Sequence, residues 1–201
     1  MGRRRHNRPR GDAACGTSRD SLEHSIRISR TDTRHALARR APRRGHLALY
    51  TGELGGSNHL QGTKPETIGF ALADSPAGQA AWIYEKFQSK TDNHGLAEDA
   101  LSADDMLDAI SLYWFTNSAA SSGRIYWENR SATMAGPKLT LPVAVTVFPR
   151  DIPRLPRSWI EDTYSNLIHY GEANKGGHFA AFEQPEILIS EIRTGLRSLR
   201  A

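Results

Sequence analysis

Residues 139–148 read Leu-Thr-Leu-Pro-Val-Ala-Val-Thr-Val-Phe, a nearly continuous apolar and β-branched run. A run of this kind suits a strand buried on both faces, and such strands belong to parallel sheets covered by helices. Pro149-Arg150-Asp151 ends it. Downstream, the pattern predicts a short helix over 157–163, a second strand over 166–173 and a sharp turn at Gly176-Gly177-His178. An amphipathic closing helix over 185–199 follows. Strand, helix, strand, helix in this order predicts an α/β fold with a parallel sheet.

Helix signals dominate ahead of that run. Thr63-Lys64-Pro65-Glu66 carries a Thr near the cap position, Pro in the first turn and an acidic residue after it. Asp74-Ser75-Pro76 repeats the device, and Ala81, Trp82, Tyr84 and Phe87 give the following segment a helical face. Residues 101–105 open a third helix, with apolar positions at 106, 107, 110, 113 and 114. Two long helices with an aromatic-rich interior are therefore expected here. No internal repeat is visible.

Charge divides the chain sharply. The net charge is +4 over 201 residues, yet residues 1–45 hold thirteen Arg, no Lys and four acidic residues. Residues 46–201 hold thirteen Lys and Arg against eighteen Asp and Glu, so the body is acidic. The leader has few large apolar residues and no aromatic, which predicts disorder. Arginine clusters can neutralise a phosphate backbone. This leader lacks the Lys and the stacking aromatics common in nucleic-acid arms, and its composition also fits a GC-rich gene read in a wrong frame. Nucleic acid is not the expected partner. A single cysteine, Cys15, excludes a disulfide framework and a Cys-rich zinc module. No apolar run is long enough for a transmembrane helix or a secretory signal, so a cytoplasmic location is expected. The eight histidines show no ligand spacing with acids, and no metal or organic cofactor is expected.

In open α/β sheets, sites gather at the carboxyl ends of the strands. Asp151 follows the first predicted strand and His178 the second, so neighbouring strands would bring both to one edge. An Asp that orients a His, with the His as general base, is one reading of that pair. The alternatives are that Asp151 caps the next short helix and that His178 is a satisfied loop histidine.

The words around these residues narrow the choice. The segment Lys175-Gly176-Gly177-His178-Phe179-Ala180-Ala181-Phe182-Glu183-Gln184-Pro185-Glu186 resembles the histidine turn of epoxide hydrolases in the α/β-hydrolase superfamily. It is most similar to the microsomal and juvenile-hormone branch and its bacterial relatives. Gln61-Gly62-Thr63-Lys64-Pro65-Glu66-Thr67 resembles the same family, as does Asp74-Ser75-Pro76-Ala77-Gly78 with Ala81-Trp82-Ile83. So does Ser111-Leu112-Tyr113-Trp114-Phe115-Thr116, and 142–151 resembles the acid-bearing strand. The resemblance covers roughly 56–199, with its motifs in order. It implies the C-terminal part of an α/β-hydrolase fold, arranged as a leader (1–45), a helical cap region (46–138) and the last parallel strands with the closing helix (139–201).

The resemblance also implies a chemistry. Enzymes of this family attack an epoxide carbon with an Asp, and water activated by a His then cleaves the alkyl-enzyme ester to a vicinal diol. His178 matches that base, and Asp151 matches its charge partner. Tyr126 matches one of two tyrosines that donate to the epoxide oxygen, although a packing aromatic beside Trp127 is its plain alternative. Tyr113 and Trp114 fit core or pocket wall. A small epoxide is the implied partner, and a homodimer is compatible with the family. Two departures stand out. Ser57 occupies the place of the second tyrosine. The nucleophile elbow and the oxyanion loop of the family are missing, since residues 1–60 hold no Gly-x-(Ser/Asp/Cys)-x-Gly pattern. Without that half, the run at 139–148 would expose an unpaired edge, and the expectation is a truncated chain that is inactive alone. A haloalkane dehalogenase or esterase of the same superfamily fits these words less well. A non-catalytic protein with an arginine-rich arm is the remaining alternative.

Overall fold

The computed structural model describes residues 48, 51–131, 139–152 and 154–200. The predicted leader lies outside the described residues. So does the expected junction between cap and sheet at 138.

Among the described residues five α-helices precede the sheet: α1 (Gly56–Thr63), α2 (Pro65–Asp74), α3 (Pro76–Lys90), α4 (Ala103–Phe115) and α5 (Ala119–Glu128). Proline opens α2 and α3, where its missing N–H costs nothing. Ser75 caps α3 by accepting the Gly78 N–H at 3.0 Å, and Ser102 caps α4 by accepting that of Asp105 at 3.1 Å. Tyr84 and Phe87 of α3, Met106 of α4, and Ala97 and Leu101 between them form the buried core of this part. The other seam is built from small residues. Gly69 of α2 faces Ala120 of α5 so closely that an added Cβ would lie 2.5 Å from the alanine's own.

The second part runs β1 (Val143–Val147), α6 (Arg157–Thr163), β2 (Leu167–Glu172), α7 (Ala180–Glu183) and α8 (Pro185–Gly195). β1 and β2 pair in parallel, with Ala144 opposite His169 and Val147 opposite Glu172. An isolated parallel bridge between Arg150 and Gly177 carries the alignment past both strand ends. The expectation of burial on both faces needs correction. Val147 and Phe148 are buried, whereas Leu141 is 68% exposed. Among the described residues β1 has β2 as its one strand neighbour, and residues 139–142 ahead of it are exposed.

α8 lies against both strands. Gly195 lets it approach, since a Cβ there would fall 2.8 Å from that of Ala144. Glu191 of α8 reaches the sheet through Oε2, which accepts from Thr146 Oγ1 at 3.0 Å and lies 3.0 Å from His169 Nε2. The hydrogen bond with His169, aided by that from Thr146, holds the Glu191 carboxyl below its ordinary range against a smaller opposing effect of burial. A carboxyl depressed on folding adds stability above its unfolded pKa, and loses that contribution as pH falls through the folded value. Glu191→Gln is therefore expected to lower stability at pH 7, where the carboxylate contributes in full, and to approach the wild type as pH falls below about 4.3, which flattens the acid side of the curve. Urea midpoints between pH 2.5 and 7 measure it, and parallel curves for the two proteins would contradict it.

Candidate functional site

Parallel pairing puts the carboxyl ends of β1 and β2 side by side, and the segments that leave them stay together. The Arg150 N–H donates to the Gly176 carbonyl at 3.1 Å. One residue beyond Arg150 and two beyond Gly176, His178 Nδ1 lies 2.8 Å from Asp151 Oδ1. With Nδ1–H donated to the carboxylate, the lone pair of the neutral ring is left on Nε2, the nitrogen able to take a proton. Asp151 also accepts the N–H of Ile152 at 2.7 Å. It does not cap α6, whose N-cap is Pro156 without a side-chain bond.

The turn that carries His178 is held by a carboxylate the sequence reading passed over. Glu183 is buried and accepts three backbone N–H groups: Asp92 at 2.7 Å, Gly177 at 3.1 Å and Phe179 at 3.1 Å. Two of these flank the histidine. Burial pushes the Glu183 carboxyl above its ordinary range, more than the three donors hold it down, and the nearby Asp92 charge adds to the rise. Asp92 in turn accepts the Gly176 N–H at 2.9 Å and pairs with Arg150 at 3.4 Å. The His178 N–H donates to the Lys90 carbonyl at 2.9 Å. Both glycines of the turn are needed. Gly176 has φ +112°, and a Cβ on Gly177 would meet the Lys90 carbonyl at 2.5 Å. The available signal for Glu183 was its place five residues after the histidine, inside the same motif.

His178 and Phe179 close one part of a cavity of about 490 Å³. One wall is a single face of α3, with Gln79, Trp82, Ile83, Lys86, Phe87 and Lys90 at helical spacing. Ser57 and Gln61 of α1, Tyr113 of α4 and Tyr126 of α5 line it from other directions. The structure thus brings Tyr126 and His178 to one cavity, with Asp151 behind the histidine. Ser57 and Tyr113 line it too, so Tyr113 is pocket wall. Burial, aided by the charge of Lys90, lowers Lys86 to about 8. The Lys86 ammonium pairs with Glu85 and lies 5.1 Å from the Trp82 ring centroid. Burial also lowers Lys90, against an opposing pull from Asp151. Among the described residues no group of three His, Cys, Asp or Glu is placed to hold a metal, and no helix is long and apolar enough to cross a membrane.

No protein-family model matches the sequence. Individual proteins do. A Stigmatella aurantiaca protein named as a candidate epoxide hydrolase is 62% identical over 142 residues, which are 71% of this chain and 32% of that protein. Epoxide hydrolase 1 of Sus scrofa is 42% identical over 149 residues, covering 69% of this chain and 33% of its own length. The crystal structure of juvenile hormone epoxide hydrolase from the silkworm Bombyx mori superposes with a TM-score of 0.64 at 33% identity. That match covers 72% of this chain and 40% of the other. This chain spans about a third of the curated relatives it matches. Over that shared part it belongs with the epoxide hydrolases of the α/β-hydrolase superfamily.

Proposed function

We propose that the cavity and the His178–Asp151 pair are the epoxide-holding and ester-hydrolysing parts of an epoxide hydrolase. The reaction adds water to an epoxide and yields a vicinal diol. A carboxylate nucleophile attacks one ring carbon, the ring C–O bond breaks, and the oxygen that leaves takes up the charge. Tyr126 donates a hydrogen bond to that oxygen and supplies its proton. His178 Nε2 then removes a proton from water as the water adds to the ester carbonyl. As the adduct collapses and the ester C–O bond breaks, the imidazolium returns its proton to the leaving alkoxide; the proton left on the hydrolysed carboxyl restores the Tyr126 phenol, and diol and carboxylate result. Asp151 fixes the ring through Nδ1 and stabilises the imidazolium formed in that step.

One observation carries this reading: His178 and Tyr126 line one cavity while the Asp151 carboxylate is 2.8 Å from His178 Nδ1. Ser57 lines the same cavity and is too short to act as a second phenol, so Tyr126 is the one phenolic donor assigned to the ring oxygen. Within the same reading, 46–138 form the lid over 139–201. A cytoplasmic location is supported by a single cysteine and the lack of a long apolar run in the sequence.

The attacking carboxylate is not assigned to any residue of this chain, because residues 1–60 hold no nucleophile elbow. The purified 201-residue protein is therefore expected to bind styrene oxide and not to consume it. Two measurements check this. Diol formation should stay at the uncatalysed rate, and the ring resonances of His178 and Tyr126 should shift as styrene oxide is added. Turnover would overturn the missing nucleophile. An epoxide that leaves both rings unperturbed would overturn the site.

A further inference from the structure

Two lysines face the cavity one helical turn apart. Lys86 and Lys90 both line it from α3, separated by about 6 Å along the axis. Neither amine has a part in the epoxide reaction. Trp82, Ile83 and Phe87 share this stretch of wall, and the Lys86 side chain is only 19% exposed.

Two neighbours favour the ammonium form of Lys86. Glu85 pairs with it, and the Trp82 ring centroid lies 5.1 Å from Nζ. The Glu85 side chain is itself 39% exposed, and a carboxylate open to water holds its partner weakly. Burial first, and the Lys90 charge second, act the other way and prevail, lowering Lys86 to about 8. Asp151 draws Lys90 back towards its charged form. Of the two amines, Lys86 is therefore the one that gives up its proton near neutral pH. A desolvated amine beside a second cation is an arrangement that turns lysine into a nucleophile for carbonyl carbon.

We propose that Lys86 is a carbonyl-capturing residue: its Nζ forms an imine with an uncharged, apolar aldehyde held in the cavity. The Nζ lone pair bonds to the carbonyl carbon, and the C=O π pair moves to oxygen. One Nζ proton passes to that oxygen and gives a carbinolamine. The second N–H proton then leaves with the hydroxyl as water, and the C=N double bond closes. Amine and aldehyde thus give imine and water, with no oxidant, reductant or further reactant. His178 Nε2 and the Tyr126 hydroxyl, on the same cavity, are the groups that carry these protons. The apolar wall suits an aromatic or alkyl chain on the aldehyde. This capture does not depend on epoxide binding.

The test uses the full chain with benzaldehyde and cyanoborohydride, which reduces an imine to a stable secondary amine. Peptide masses then locate the benzyl group. At about pH 7.5, Lys86 is expected to be labelled at least about tenfold faster than Lys64 and Lys175, which are exposed and almost wholly protonated when their pKa is ordinary. Lys86→Met should lose that fast label. In urea above the unfolding midpoint the preference should vanish, a comparison that stands even where the variant folds poorly. Equal labelling in the folded protein, fast labelling at Lys90 instead, or a preference that persists in urea overturns the role of Lys86. A protein that captures benzaldehyde and ignores styrene oxide keeps this role while the epoxide reading falls.

Discussion

A graft of this chain into its Stigmatella aurantiaca relative, in place of the matching 142 residues, is expected to separate the two chemical steps by mutation. In that background His178→Ala should slow diol release by about 10²- to 10⁴-fold, the usual contribution of a positioned general base. The substrate should remain on the protein as an ester, visible as a mass increase equal to one epoxide, because the attacking carboxylate is untouched. Tyr126→Phe should show the opposite pattern. Ring opening loses its donor, so the rate falls and no adduct accumulates. A Tyr126 that merely packs would leave both rate and mass unchanged on removal of its hydroxyl. Asp151→Asn should resemble His178→Ala, since an amide can turn its NH₂ to Nδ1 and select the wrong tautomer. The pair of outcomes matters more than either rate. An adduct in the tyrosine variant, or none in the histidine variant, would reverse the assignment of roles.

Glu183→Ala is expected to produce the largest loss of stability in the molecule. The carboxylate takes the N–H groups of Asp92, Gly177 and Phe179, which have no other acceptor among the described residues. A buried donor stripped of its partner costs about 1–3 kcal/mol. Three such donors share one side chain, so their losses overlap, and about 3–5 kcal/mol is the expected total. Domains of this size hold only about 5–15 kcal/mol in all. The urea midpoint of the variant measures the loss. Glu183→Gln keeps one acceptor oxygen and should fall between alanine and wild type. The histidine turn depends on the same bonds, so the low-field Nδ1 proton signal of His178 should broaden in the glutamine variant while its circular dichroism stays native. Equal midpoints for all three proteins would refute this role for Glu183.

The sequence displayed its punctuation more clearly than its packing. Residues 157–163 were predicted as a helix, and α6 is Arg157–Thr163, because Pro156 ahead of it marks the start. The strands and the turn at Gly176-Gly177 were legible for a similar reason: β-branched runs and paired glycines are local signals. The helix α5 was not legible. Its sequence, Ala-Ala-Ser-Ser-Gly-Arg-Ile-Tyr-Trp-Glu, is poor in helix formers, and Ala120 is suited by its smallness to contact with Gly69, fifty-one residues away. Burial at 139–148 was overread because β-branched residues report what a strand can bury, while the partners decide what it does bury. For the site, Asp151 and His178 could be placed from strand ends alone. Glu183 could not, since its meaning comes from surroundings supplied by other segments.

The bond between the Lys90 carbonyl and the His178 N–H has a mechanical consequence. It fastens the imidazole's backbone to the end of a fifteen-residue rod whose opposite end is seated by Ser75 and Pro76. A rod of that kind transmits axial displacement with little loss, because its own hydrogen bonds run along the direction of push. Whatever shifts the seat by half an ångström therefore shifts the histidine turn with it, and proton transfer is sensitive to displacements on the order of 1 Å. Substitutions at Ser75 should accordingly register at His178, at the other end of the helix and without any contact between the two side chains.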